Sequence, residues 1–178
     1  MEQKTALLVM DVQPGIIERI NNQEEFLNNT KKTIKLAHDR NIQVIYVVVG
    51  FRDGFPEVSQ DNKSFAGIKE NSTKVMINPK PVIETEGNDL VVVKHRVSAF
   101  SGSDLEMVLR AQDIRHLVLC GISTSGVVLS TVREAADKDF NLTVFSDLCA
   151  DFDEEVHNIL LEKVFPRQAN VIKSSNWN

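Results

Sequence analysis

Residues 118–140 read VLCGISTSGVVLSTVREAADKDF and join a strand pattern to a helix pattern. An apolar run ends at Gly121, a short Ser/Thr segment follows, and apolar residues then recur at helical spacing. Strand, turn and helix in this order are how an α/β enzyme often presents a nucleophile. In the nucleophile's expected place the sequence reads Gly126-Val127, and neither residue has a nucleophilic side-chain atom. The stretch therefore predicts an α/β fold and leaves open which chemistry it supports.

Six short apolar runs along the chain carry the same strand signal. They are rich in Val, Ile and Leu and do not alternate with polar residues, which is typical of parallel strands covered on both faces. The runs are residues 5–11, 42–50, 89–95, 116–121, 142–147 and 169–174. Because helical periods separate most of them, we expect a mostly parallel sheet with helices on both sides. Ligands are then expected beyond the carboxyl ends of the strands.

The length, charge and cysteine content bound the class of protein. A chain of 178 residues is comfortable for one domain, so we expect a single domain over residues 1–178. A net charge of −5 and a pI near 5.4 argue against a nucleic-acid partner. No apolar run approaches the roughly 20 residues that cross a bilayer, so no membrane association is expected. Two cysteines make no disulfide framework, which predicts a reducing, cytoplasmic setting.

Residues 51–88 interrupt the alternation of strand and helix signals. The segment is long, polar and weakly periodic, and it holds three of the five prolines. Loops of this length inside a compact domain are usually lids, binding loops or oligomer contacts. We therefore expect it to border a ligand site or a subunit contact.

Charged residues end the first and third apolar runs. The first run ends at Asp11 in LLVMDVQ, and the third ends at Lys94 in LVVVKHR. In a parallel sheet both lie on the same rim, and at neighbouring strand ends each would shift the other's pKa toward the charged form. A proton shuttle can be built from such a pair. The alternative is that Asp11 caps the following helix and that Lys94 is a solvated strand end.

The turn after the fourth run offers backbone amides. Gly121 permits backbone geometry that is closed to other residues, and residues 122–127 lead into a helix whose first amides lack partners. Those amides could hold a developing negative charge. A simple helix cap by Ser123, Thr124 or Ser125 fits the pattern at least as well.

Four motifs in a fixed order give the chain a family resemblance. They are LLVMDVQ, VKHRVSAF, LCGISTSGVVLSTVREAADKDF and SDLCADFDEEVHNILLEKVFP, and together they cover nearly the whole chain. In these motifs the chain resembles the isochorismatase-like hydrolases, also called the cysteine hydrolase superfamily. The resemblance implies a three-layer α/β/α sandwich with a mostly parallel, Rossmann-like sheet. It also implies that Asp11 is the acid/base residue, that Lys94 is its partner, and that Val127 stands where most members have the catalytic cysteine.

The family includes hydrolases that work without that thiol. True isochorismatases carry a glycine at the cysteine position and cleave a vinyl ether with the Asp as general acid, and water completes the hydrolysis. By resemblance we expect a small-molecule hydrolase that uses Asp11 and Lys94 without a covalent cysteine intermediate. The alternative is a catalytically inactive small-molecule-binding or assembly protein on the same fold. A third hypothesis keeps thiol or hydroxyl catalysis through Cys120 or a nearby serine.

The resemblance also assigns residues to a substrate pocket. The candidates for the pocket and its oxyanion amides are Gln13, Phe100, Ser123, Thr124 and Val127. By family analogy the Ile122–Ser123 peptide is cis and aims the amides of Ser123 and Val127 into the pocket. Phe100 is expected to form an apolar wall. Gln13 is expected either to orient a polar substrate group or to tie down the first turn.

Both cysteines and all four histidines of the chain are interpreted as structural residues. Cys120 is expected in a buried strand as a small hydrophobic residue, and Cys149 in a loop after the next strand. His95 adjoins Lys94, but adjacent side chains of a strand point to opposite faces. The histidines interpreted as surface or packing residues are His38, His116 and His157.

No metal or cofactor is expected. Nicotinamidases of the superfamily bind a metal through an Asp and two His after the second strand, whereas VVGFRDGFPEVS offers Asp53 and no histidine. The expected partners are a small-molecule substrate and further copies of the chain, as a homodimer or homotetramer. Residues 51–88 and the helix beginning near Thr124 are the candidate interface.

Overall fold

Six parallel strands form the central sheet of the computed structural model, which describes residues 3–70 and 76–177. Their order across the sheet is β3-β2-β1-β4-β5-β6, and every neighbouring pair runs parallel. The strands are β1 Lys4–Met10, β2 Gln43–Val49, β3 Leu90–Lys94, β4 Ile114–Ile122, β5 Asn141–Ala150 and β6 Asn170–Ile172. The predicted parallel sheet is confirmed, and each strand lies on one of the six apolar runs.

The strands lack polar alternation because both faces of the sheet are covered. In β1, Ala6, Leu8 and Met10 pack into one apolar core, and Leu7 and Val9 pack into the other. In β4 the same alternation places Leu119 in the first core and Cys120 in the second. A strand with two buried faces needs apolar residues at every position.

Helices supply the two outer layers of the sandwich. Residues of α3 and α4 pack on one face of the sheet, and residues of α1 together with Trp177 pack on the other. The helices are α1 Gln23–Asp39, α2 Lys63–Glu70, α3 Leu105–Ala111, α4 Leu129–Asp137 and α5 Glu154–Ile159. Five-residue π-helical turns, Thr124–Val128 and Leu160–Val164, precede α4 and follow α5. The three-layer α/β/α architecture is therefore confirmed.

None of the helices in residues 3–70 and 76–177 is both long enough and apolar enough to cross a bilayer.

The segment 51–88 contains more structure than its sequence pattern suggests. It includes α2, and it carries a small apolar cluster in which the Phe51 ring lies 5.6 Å from both Phe55 and Phe65. The expectation of an aperiodic loop is wrong here, because these rings are spaced irregularly in sequence and meet only after folding. Residues 71–75 of the predicted loop lie outside the described residues.

Strands β1 and β4 are still paired at their carboxyl ends, where Met10 lies opposite Gly121. A Cβ atom at Gly121 would lie 2.1 Å from the carbonyl oxygen of Met10, and the φ angle of this glycine is 146°. No side chain fits that space, so glycine is required where β4 leaves the sheet. This contact sets the starting point of the turn that follows.

Candidate active site

The acidic and basic strand ends meet in a buried ion pair. Asp11 follows β1, Lys94 ends β3, and Asp11 Oδ2 lies 2.9 Å from Lys94 Nζ. The two strands are not neighbours as expected, because β2 lies between them. Two strand spacings separate the backbones of β1 and β3 by about 10 Å. The four-carbon stem of lysine spans much of this gap and brings its ammonium within hydrogen-bonding distance of the carboxylate.

Burial dominates the electrostatics of this pair. Asp11 is 6% exposed and Lys94 is 1% exposed. Loss of solvent raises the pKa of Asp11 to about 6, because it opposes the carboxylate more strongly than the nearby Lys94 ammonium favours it. Lys94 shifts the pKa of Asp11 toward the charged form, as expected, but burial outweighs this effect. A raised pKa favours the protonated form of Asp11, which is the form that a general acid needs.

One carboxylate oxygen of Asp11 is left without a partner. Its backbone N–H donates to Val47 O at 2.8 Å, while Oδ2 accepts from Lys94. Lys94 Nζ also donates to Arg96 O at 2.9 Å, which holds the ammonium from a second side. Asp11 Oδ1 is buried and has no hydrogen-bond partner among the described residues. Buried polar atoms are nearly always satisfied, so this oxygen is a candidate position for contact with a ligand group.

Gln13 braces the end of β2. Its Nε2 donates to Val49 O at 3.0 Å, and its Oε1 accepts from Val49 N at 2.8 Å. The residue is fully buried, and its Nε2 also lies 3.8 Å from Met76 Sδ. Both ends of the side-chain amide are engaged by the protein, which agrees with the second of its two expected roles, tying down the first turn.

The turn between β4 and α4 has the backbone expected from the family analogy. The Ile122–Ser123 peptide is cis. The carbonyl of Ser123, which is half-buried, accepts hydrogen bonds from Gly126 N and Val128 N, each at 3.2 Å. The first helical turn is a π-helical one rather than a regular α-helix.

Most of the side chains of residues 122–128 that face the core are apolar. Val127 is 2% exposed and belongs to the apolar core that also contains Phe100 and Cys149. The Phe100 ring packs 5.9 Å from the ring of Phe140. Phe100 and Val127 therefore lie on the same side of the sheet, and the predicted nucleophile position carries only hydrocarbon.

Both thiols are buried and resist ionisation. Cys120 packs on the opposite face of the sheet from Val127, donates to Leu8 O at 3.5 Å, and has its pKa raised well above the usual value by burial. Cys149 lies in β5, not in a loop as expected, and burial raises its pKa to about 12. A thiolate is the reactive form, so neither cysteine is a good nucleophile.

His157 has a contact that the sequence did not reveal. Its Nδ1 lies 2.8 Å from the hydroxyl of Thr124, a fully buried residue of the turn. The interpretation of His157 as a surface or packing residue did not include this hydrogen bond to the turn. No local pattern could show this contact, because the two residues are 33 positions apart. His95 is bound elsewhere, with Nδ1 2.6 Å from Gly50 O.

The residues considered for metal binding are not gathered into a site. Within the described part of the chain, no group of three or more His, Cys, Asp or Glu side chains is arranged to hold a metal ion. Asp53 is exposed, and its Oδ1 accepts from the neighbouring Gly54 N at 3.1 Å.

Comparison with known proteins gives a consistent family signal. The isochorismatase domain model matches residues 5–176. The isochorismatase family protein YwoC of Bacillus subtilis (strain 168) is 32% identical, over 93% of this chain and 87% of the relative. A probable inactive nicotinamidase of Arabidopsis thaliana is 31% identical, over 89% of this chain and 87% of that protein. An isochorismatase family protein from Burkholderia thailandensis has the same fold, with a TM-score of 0.79, 24% identity, and coverage of 98% of this chain and 94% of that one.

Proposed function

The chain belongs to the isochorismatase family, and on that premise we propose that it is a small-molecule hydrolase without a covalent cysteine intermediate. Asp11 and Lys94 carry its acid–base chemistry. The observation that supports this proposal is the buried Asp11 carboxyl group, which holds Lys94 through one oxygen, while its other oxygen has no partner among the residues that the structure describes.

In the proposed reaction Asp11 acts as general acid. With its pKa raised to about 6 by burial, its protonated form donates a proton to the terminal carbon of a vinyl ether, which gives an oxocarbenium ion. A water molecule adds its hydroxide to the adjacent carbon, which carries the ether oxygen, and returns its proton to the Asp11 carboxylate. Lys94, 2.9 Å from Oδ2, stabilises the carboxylate between these two transfers. The resulting hemiketal breaks its bond to the ether oxygen, its hydroxyl proton passes to that oxygen, and a carbonyl compound and an alcohol are released.

The absence of a nucleophile at residue 127 favours bonds that acid catalysis can cleave. A vinyl ether is activated by protonation alone, whereas an amide or a urea needs a stronger nucleophile. Val127 adds bulk where true isochorismatases carry a glycine, so the proposed substrate is an enol-type ether whose shape avoids that position. Phe100 and Val127 supply the apolar wall of the pocket, and the amides of Ser123 and Val127 supply its polar contacts.

The second candidate function is a catalytically inactive binding or assembly protein. Three observations favour it: the inert Val127, the almost complete burial of Asp11 and Lys94, and the 31% identity to a relative described as a probable inactive nicotinamidase. Such a protein would keep the ion pair as a structural feature and use its pocket to bind without turnover.

We also propose that the protein assembles as a homodimer or homotetramer in a reducing, cytoplasmic compartment. Two free, buried cysteines support the compartment. Exposed apolar side chains at Phe152, Val156 and Ile159 support assembly, in addition to the candidate interface in residues 51–88 and the helix near Thr124. Light scattering on the purified protein gives the stoichiometry, and a monomer at micromolar concentration contradicts the proposal.

A substrate screen tests the proposed function. Vinyl ethers, amides and ureas are incubated with the wild-type protein, with Asp11→Asn, and with Asp39→Asn as a matched control on the exposed end of α1. We expect turnover of a vinyl ether, a loss of roughly 100- to 10,000-fold in Asp11→Asn, and no change in Asp39→Asn. Treatment with iodoacetamide should leave the activity intact.

Two outcomes reject the assignment. Retained activity in Asp11→Asn would remove the general acid from the mechanism. Tight ligand binding without turnover by the wild-type protein would favour the inactive alternative. A covalent adduct on Cys120 or on a serine, detected by mass spectrometry, would instead revive nucleophilic catalysis.

A further inference from the structure

We infer that His157 is a positioning residue, which holds the turn of residues 122–128 in its working geometry through the hydroxyl of Thr124. The effect on turnover rests on the proposed function. The effect on the geometry of the turn does not, because it follows from the contacts themselves.

The contact between the two side chains is short and enclosed. Thr124 Oγ1 lies 2.8 Å from His157 Nδ1, and Thr124 is fully buried. The hydroxyl therefore cannot exchange this partner for bulk water. Losing a buried hydrogen-bond partner is more costly than losing an exposed one, so the imidazole constrains the first residue of the π-helical turn.

A second bond joins the same two segments. Ser125 N donates to Asp151 Oδ2, so consecutive residues of the turn are held by the stretch around α5. The start of α5 is itself fixed, because Asp153 caps it by accepting from Val156 N at 3.1 Å. The imidazole is thus presented to the turn from an anchored helix.

The turn depends on these outside contacts because its central side chain offers no polar anchor. Val127 is buried in the apolar core, and a valine makes no directional bond. The carbonyl of Ser123 is used inside the turn by Gly126 N and Val128 N. Directional control of the backbone near Val127 therefore comes from the Thr124 and Ser125 contacts.

His157 has the charge state suited to this task. Burial lowers its pKa even though the carboxylates of Asp151 and Glu154 act in the opposite direction. A neutral imidazole has one donor and one acceptor nitrogen, so it can pair with a hydroxyl in either direction. Its role is to orient Thr124, and no proton transfer to a substrate is required of it.

Amide hydrogen exchange on the full-length protein tests the inference. His157→Ala removes the contact, whereas His157→Asn places a side-chain amide near the position of Nδ1. His116→Ala is the matched control, because His116 also pairs with threonine hydroxyls, those of Thr5 and Thr143. We expect exchange across residues 122–128 to rise about tenfold in His157→Ala, to return toward the wild-type rate in His157→Asn, and to stay unchanged in His116→Ala.

Kinetics on a substrate from the screen give the second readout. We expect kcat to fall about tenfold in His157→Ala with KM unchanged, and His157→Asn to recover most of the loss. If the wild-type protein turns over no substrate, the proposed function fails and the exchange experiment still decides the inference. A wild-type exchange rate in folded His157→Ala, or no recovery in folded His157→Asn, overturns it.

Discussion

At the amino ends of the strands there is an open cavity of about 1420 Å³ lined in part by His38, Asp89 and His116, whereas at the carboxyl ends Asp11 and Lys94 are almost completely enclosed. Size alone would place a ligand in the open cavity. The chemistry of the lining groups points to the enclosed pair instead.

At the amino ends of the strands, here called the amino rim, His38 and Asp89 have hydrogen-bond partners. His38 Nε2 lies 2.8 Å from Asp89 Oδ1, and Asp89 Oδ2 accepts from Glu86 N at 2.9 Å. At the carboxyl rim Asp11 Oδ1 is buried and has no partner among the described residues. A satisfied network stabilises the fold, while an unsatisfied buried acceptor costs free energy that a bound ligand can recover.

The largest expected difference in stability between the amino rim and the carboxyl rim comes from Lys94→Met, at the carboxyl rim. It leaves the Asp11 carboxylate buried without a counter-charge, and we expect the free energy of unfolding at pH 8 to fall by ~3–5 kcal/mol. His38→Ala, at the amino rim, should cost ~1–2 kcal/mol because Asp89 keeps its bond to Glu86 N. Urea denaturation measures both values.

The control for Lys94→Met and His38→Ala is the same measurement of unfolding free energy at acid pH. At pH 5 most Asp11 carboxyl groups are protonated, so the loss in Lys94→Met should shrink. Equal losses in Lys94→Met and His38→Ala at pH 8 would contradict the difference between the rims.

The pH dependence of stability is the next largest effect, and its sign should be opposite at the two rims. The folded-state pKa of Asp11, about 6, lies above the ordinary aspartate value of 3.8, so the folded state binds the extra proton and this contribution to stability falls as pH rises between these values, by ~3 kcal/mol. Burial lowers the pKa of His116 below 6.5, so its contribution falls as pH decreases through that value.

Unfolding free energies measured from pH 4 to pH 8 resolve the two contributions. Asp11→Asn should abolish the first slope, and His116→Gln should abolish the second. Turnover that depends on Asp11 as an acid should also decline as pH rises above about 6. An increase in turnover through that pH would assign Asp11 the role of a base.

Val127→Cys should have the smallest effect on stability. Cysteine is close to valine in volume and polarity, so we expect a cost of less than about 1.5 kcal/mol. Iodoacetamide should leave the new thiol unlabelled because position 127 is only 2% exposed, and Cys120 and Cys149 of the wild type should stay unlabelled because they are buried with raised pKa values. Peptide mass spectrometry identifies any labelled residue, and labelling of Cys149 in the wild type would contradict this interpretation.

Local sequence patterns predicted the sheet well and the segment 51–88 poorly. Strands buried on both faces require unbroken apolar runs, so each strand is visible in its own residues. In 51–88 the aromatic rings of Phe51, Phe55 and Phe65 meet across irregular spacings, and a pattern search cannot register such contacts.

The chain by itself determined the parallel sheet, the two charged strand ends and the absence of a nucleophile at Val127, because these depend on residue type and order. Only the tertiary structure decided that Lys94 reaches Asp11 across the intervening β2, that burial outweighs this contact in the pKa of Asp11, and that His157 pairs with Thr124. Each of these depends on distance and on exclusion of water. Those quantities arise when segments far apart in sequence pack together.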